Sequence, residues 1–123
     1  MPENDNQPFP RLPGIDTDAG LKVVRNNSQL YKRLLLKFAD SYGAFEQQFR
    51  DAQKGLADDP EGPRRSAHTL KGVAGNLGMN ELSESAYQLQ LACESDSIET
   101  DSRLAEVLRQ LSVITDGLAR LAD

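Results

Sequence analysis

Apolar residues recur at helical spacing along most of the chain, and no β-type alternation or hairpin signal of comparable length interrupts them. From Gln29 to about Lys54, the residues Tyr31, Leu35, Phe38, Tyr42, Phe45 and Phe49 follow one another in alternating steps of four and three. That spacing predicts one long helix carrying a continuous apolar stripe. Before it, Asp16 or Thr17 can cap a short helix over Asp18 to Asn26 with Leu21 and Val24 inward, and Ser28 can cap the long one. Gly55 to Gly62, with Asp58-Asp59-Pro60, reads as a connection. A third helix is expected from Glu61 or Pro63 to Leu77, with Gly78 as its left-handed cap. Asn80 opens a fourth whose face is Leu82, Ala86, Leu89 and Cys93, ending near Ser95-Asp96-Ser97. The last runs from about Asp101 to the end on Leu104, Leu108, Leu111, Ile114, Leu118 and Leu121. Long amphipathic helices on short loops predict an all-α fold, an antiparallel up-down four-helix bundle with the first short helix as a lid.

Met1 to Gly14 holds four prolines among polar residues and is expected to be a flexible linker or tail, leaving residues 15–123 for the bundle. A chain of 123 residues suits one domain. The formal net charge of -5 gives no electrostatic reason to expect nucleic acid or an anionic membrane as partner, and no apolar run reaches the 18 or so residues of a membrane span. A single cysteine, Cys93, fits a reducing cytoplasmic compartment and reads as a small core residue.

The third helix contains the segment SAHTLKGVAGNLG, residues 66–78, which places two glycines beside the only histidine. Each interior glycine costs roughly 1 kcal/mol relative to alanine. Projected at 100° per residue, Leu70, Val73, Leu77 and Ser66 gather opposite His68, so His68 is expected to point outward. Within roughly 60° of it fall Glu61, Arg64, Arg65, Lys71, Gly72 and Gly75. The glycines then act as clearance through which another protein reaches the imidazole, and the cations suit a phosphate. A lone histidine on a polar helix face is ordinarily a solvated residue, and the cations alone would read as a solvated surface with pairs such as Glu61 and Arg65. Here the features coincide.

Other chemistry has little support. One histidine and one cysteine fall short of a zinc site, and the Glu-x-x-His pairs of di-iron bundles are absent from the sequence. Ser66 has no nucleophile-elbow context, and the aromatic stripe reads as core before it reads as a cofactor pocket. No metal or resident cofactor is expected.

The run AHTLKG, with its glycine-punctuated helix end, resembles the histidine-containing phosphotransfer (HPt) domain of bacterial multistep phosphorelays. The stretch PGIDTDAGLKVVRNNSQLYKRLLLKF is similar to that family's lid and second helix, so the resemblance spans roughly residues 13 to 121. It implies that His68 is the phosphoacceptor, that Lys71 assists the phosphate, and that Gly72 leaves room for a docking receiver domain, with Arg64, Arg65 and Gly75 on the same partner-binding face. The family often carries a polar residue at the position of Gly75 that steadies the imidazole; here a backbone carbonyl, a water or a residue of a neighbouring helix has that task. Implied partners are response-regulator receivers and a hybrid sensor histidine kinase, with Mg²⁺ supplied by the receiver. The chain lacks a nucleotide-binding glycine loop, so ATP-dependent kinase activity of its own is not expected. Thr69, where the dimerisation helix of a sensor kinase typically has an acidic residue, argues against that relative. A monomeric, cytoplasmic phosphorelay intermediate is the expectation, either free-standing or the cytoplasmic part of a membrane-anchored hybrid kinase. The alternative is a helical adaptor whose His68 face binds a protein without phosphate.

Overall fold

The computed structural model describes residues 9–122, and these are all-helical. Helix α1 spans Thr17–Val23, α2 Ser28–Tyr42, α3 Phe45–Lys54, α4 Gly62–Asn76, α5 Asn80–Glu94 and α6 Thr100–Ala122. The most extensive packing is between α4 and α5, followed by α5 on α6; α3 packs on α4, and α2 and α3 both meet α6. One core results, built from Tyr31, Leu35, Phe38, Phe45, Phe49, Leu70, Met79, Leu82, Leu89, Leu104, Val107, Ile114 and Leu118 among others. None of the helices described is long and apolar enough to cross a membrane.

The single helix expected from Gln29 to Lys54 is two, broken at Gly43 and Ala44. The glycine weakens the helix at the interruption, and the Gln48 side chain donates to the carbonyl of Ser41, 3.1 Å away, near the end of α2. The stripe survives the break because Phe45 and Phe49 stay buried on α3 while Tyr42 and Phe45 keep their rings 6.4 Å apart. Asn27, not Ser28, caps α2, accepting from Leu30 N–H at 3.0 Å. Asp16 caps α1 through Ala19 N–H. That helix stops at Val23, short of Asn26, because Arg25 and Asn26 take left-handed backbone.

Among the described residues, Phe9 and Leu12, which lie before residue 15, already pack on the bundle. Phe9 lies against Tyr31 with ring centroids 5.1 Å apart, and Leu12 and Ile15 also touch the core. The remainder of the expected tail, residues 1–8, lies outside the described residues.

The end of α4 follows from Gly78. Its φ of 85° is cheap only for glycine, and it lets Met79 N–H return to Ala74 O at 2.9 Å and Gly78 N–H to Gly75 O at 3.3 Å. The start of α1 is tied to this turn: Asp16 N–H donates to Gly78 O at 2.7 Å. Beneath it the fully buried Tyr31 hydroxyl donates to Leu77 O at 2.6 Å. Burial, and then the negative charge of Asp16, pushes the Tyr31 phenol up to about 12. The unfolded chain therefore loses this proton first as pH rises. Stability is retained below pH 10 and falls between pH 10 and 12, by up to about 2.7 kcal/mol for a shift of this size. Tyr31→Phe should remove most of that alkaline slope in urea unfolding, leaving the share due to Tyr42, which burial also raises. At neutral pH the same change should cost about 1–3 kcal/mol by orphaning the Leu77 carbonyl.

Candidate functional site

The α4 face that enters the core is Pro63, Ala67, Leu70 and Ala74, continued by Leu77. Val73 and Ser66, expected in the core, are only half-buried. The core direction is thus rotated by roughly 45° from the point opposite His68 toward α5. Ala67 and Ala74, both fully buried, belong to this rotated core face, and α4 packs most extensively on α5. His68 remains exposed, as expected.

That rotation brings a row of α5 side chains up to the histidine face. The two helices run antiparallel. Ser83 Oγ donates to Lys71 O at 2.9 Å. A Cβ added to Gly75 would stand 3.3 Å from Ser83 Oγ. Lys71 Nζ lies 4.8 Å from the ring centre of Tyr87. His68 Nδ1 is 3.1 Å from Gln90 Oε1, and Arg64 Nη1 is 3.9 Å from Glu94 Oε2.

The sequence-predicted residues separate into two groups in this arrangement. His68, Lys71 and Gly72 share the solvent-facing side of α4, where a Cβ on Gly72 would meet no atom within 4 Å. Space at Gly75 is partly taken up by Ser83, so this glycine also serves helix packing. Arg64 donates through Nε to Glu61 Oε1 at 2.5 Å and turns toward α5. Arg65 is held by two hydrogen bonds on Asp59, at 2.9 and 3.1 Å, and this guanidinium keeps the Asp59 carboxyl below the usual carboxylate range. Lys71 makes no ion pair among the described residues, and its ammonium is placed by the Tyr87 face.

Gln90 is the functional residue that the sequence reading does not name. It is 8% exposed, it sits beside Leu89 in an otherwise apolar stretch of α5, and its Oε1 stands at hydrogen-bond distance from the imidazole Nδ1. This is the neighbouring-helix partner left open among the alternatives for steadying the ring. The other ring nitrogen, Nε2, has no hydrogen-bond partner among the described residues, and the residue as a whole is exposed. No group of three His, Cys, Asp or Glu side chains among the described residues is placed to hold a metal ion.

The arrangement offers an exposed imidazole, an ammonium three residues along the same helix and a low helical wall. It suits a group transferred between proteins better than a small substrate held in a pocket. Comparison with family models matches residues 33–123 to the Hpt domain. Comparison with curated proteins and with solved structures finds no significant match.

Proposed function

The chain belongs to the Hpt domain family, which serves phosphotransfer in phosphorelays, and we propose that His68 is its phosphoacceptor, taking the phosphoryl group from a receiver-domain aspartyl phosphate and passing it to another receiver. The observation that carries this reading is the exposed His68 whose Nδ1 is held by Gln90 while Nε2 has no hydrogen-bond partner among the described residues. In the proposed step the Nε2 lone pair forms an N–P bond as the P–O bond to the aspartyl carboxylate breaks, and the electron pair leaves with that carboxylate. Such a transfer depends on alignment and charge neutralisation more than on a base, and we assign the divalent cation to the receiver.

Lys71 neutralises phosphate charge beside His68. Its ammonium lies over the Tyr87 ring, 4.8 Å from the ring centre, which limits the rotamer freedom it must give up on meeting the anion. Lys71→Ala should slow transfer about tenfold, since one charge-assisted contact near the surface is worth about 1–2 kcal/mol; stopped or quenched single-turnover transfer from a labelled receiver measures it.

The receiver's approach is assigned to the open side of α4 at Gly72, with Arg65 on its margin. Arg64 and Gly75 border that side toward α5, where their contacts with Glu61, Glu94 and Ser83 also help fix the two helices. The up-down four-helix arrangement fits this role, since α2 with α3, α4, α5 and α6 form four rods around one core and leave the middle of α4 uncovered.

The test is to incubate the protein with a phosphorylated receiver and map the label. Acid-labile, base-stable label on His68 supports the reading. Binding of the receiver without label on His68 would instead leave a protein-interaction adaptor.

A further inference from the structure

Gln90 has two chemically different ends, and which of them faces His68 decides the form of the imidazole. Gln90 Oε1 is 3.1 Å from His68 Nδ1, and Gln90 Nε2 is 3.0 Å from Glu94 Oε2. The second contact fixes the first. A carboxylate only accepts hydrogen bonds, so the amide end at Glu94 must be the donor NH₂. The carbonyl end is then turned to the imidazole and requires a proton on Nδ1, which leaves the lone pair on Nε2.

Glu94 is itself positioned. It stands one turn beyond Gln90 on α5, with Arg64 Nη1 3.9 Å away, and Arg64 is anchored through Nε on Glu61. A chain of polar contacts therefore leaves α4 at Arg64, crosses to Glu94, passes along Gln90 and returns to α4 at His68.

Resting on the reading of His68 as phosphoacceptor, we infer that Glu94 is a positioning residue for phosphoryl transfer, selecting the nucleophilic tautomer of His68 through the Gln90 amide, with Arg64 holding the carboxylate. Its consequence for the step is direct. When Nε2 bonds to phosphorus, no proton has to leave the ring: the Nδ1 proton stays, the ring becomes a phosphoimidazolium, and its positive charge is shared with the N–H that Gln90 accepts. With the amide reversed, a donor would face Nδ1, the proton would move to Nε2 and the nucleophilic lone pair would point inward.

Three variants test this, each read by ¹⁵N NMR of the His68 ring without phosphate and by transfer from a phosphorylated receiver. Glu94→Lys presents a donor to Gln90; the amide should reverse, His68 should shift to the Nε2–H tautomer and transfer should fall by tenfold or more. Glu94→Ala removes the acceptor; both tautomers should be populated and transfer should fall about fivefold, the equivalent of one hydrogen bond worth about 1 kcal/mol. Glu94→Gln keeps an acceptor oxygen and should retain the Nδ1–H tautomer. Should Glu94→Lys fail to fold, Glu94→Ala carries the test. A ring that stays fully Nδ1–H in Glu94→Ala or in folded Glu94→Lys, one that leaves the Nδ1–H form in Glu94→Gln, or one that is Nε2–H in the wild type, overturns the inference. Absence of label on His68 in the wild type would instead overturn the phosphoacceptor reading, and the spectra would still report the tautomer.

Discussion

His68→Gln should reduce phosphoryl transfer to background while the protein keeps its fold. The position is exposed, so little packing is lost. The one contact removed is that between Nδ1 and Gln90, and a glutamine at 68 can offer the Gln90 carbonyl an amide N–H in place of the ring N–H. The stability change should stay within about 1 kcal/mol, which for a domain of this length shifts the melting temperature by no more than about 4 °C. What the substitution does remove is the only imidazole in the sequence. An amide nitrogen has its lone pair delocalised into the carbonyl and forms no comparable N–P bond. Circular dichroism melting and receiver-to-chain transfer, measured on the same preparation, separate the two effects. Label retained at the wild-type rate would move the acceptor away from His68 and dissolve the mechanism built on it.

Helix type, number of long apolar faces and the exposure of His68 were all legible in the sequence, because they depend on the positions of large apolar residues. What the pattern hides is set by small and polar ones. Gly43 interrupts a stripe that reads as continuous, since Phe45 resumes it, buried, directly after the break. Ala67 and Ala74 contribute little to a count of large apolar side chains, yet they are fully buried and draw the core of α4 toward α5. A projection weighted by Leu70, Val73 and Leu77 therefore places the core too far from that flank. Gln90 is concealed for a related reason: a polar residue beside Leu89 reads as the edge of an apolar face. Pairing could have found it. In an antiparallel hairpin turning at Gly78 and Met79, Gly75 meets Ser83, Lys71 meets Tyr87, His68 meets Gln90 and Arg64 meets Glu94, each pair symmetric about Met79. Once the turn is recognised from the glycine, the residue opposite the histidine follows.

Gly72→Leu should give a protein at least as stable as the wild type that neither binds a receiver productively nor exchanges phosphate with it. The structure removes the ordinary objection to placing a large residue inside a packed helix, since a Cβ at this position would meet nothing within 4 Å. Leucine is a better helix former than glycine by about 0.5–1 kcal/mol, so the melting temperature should rise by about 2–4 °C. Function should move the other way. Residue 72 lies one turn beyond His68 on the same face, and helical side chains lean toward the preceding turn, so the leucine would cover the approach to the imidazole. A receiver must bring its aspartyl phosphate to bonding distance of Nε2, and a displacement of about 1 Å is enough to cost on the order of 100-fold in rate. Gly72→Ala, which adds only the Cβ, should gain most of the stability and lose much less transfer, grading the effect by side-chain volume. Transfer at the wild-type rate in a stabilised Gly72→Leu protein would show that receivers reach His68 from the α5 flank, over Lys71 and Tyr87, and that the glycine is not there for access. A loss of transfer that disappears when a small phosphodonor replaces the receiver would place the obstruction where the geometry does, in docking rather than in the chemistry at Nε2.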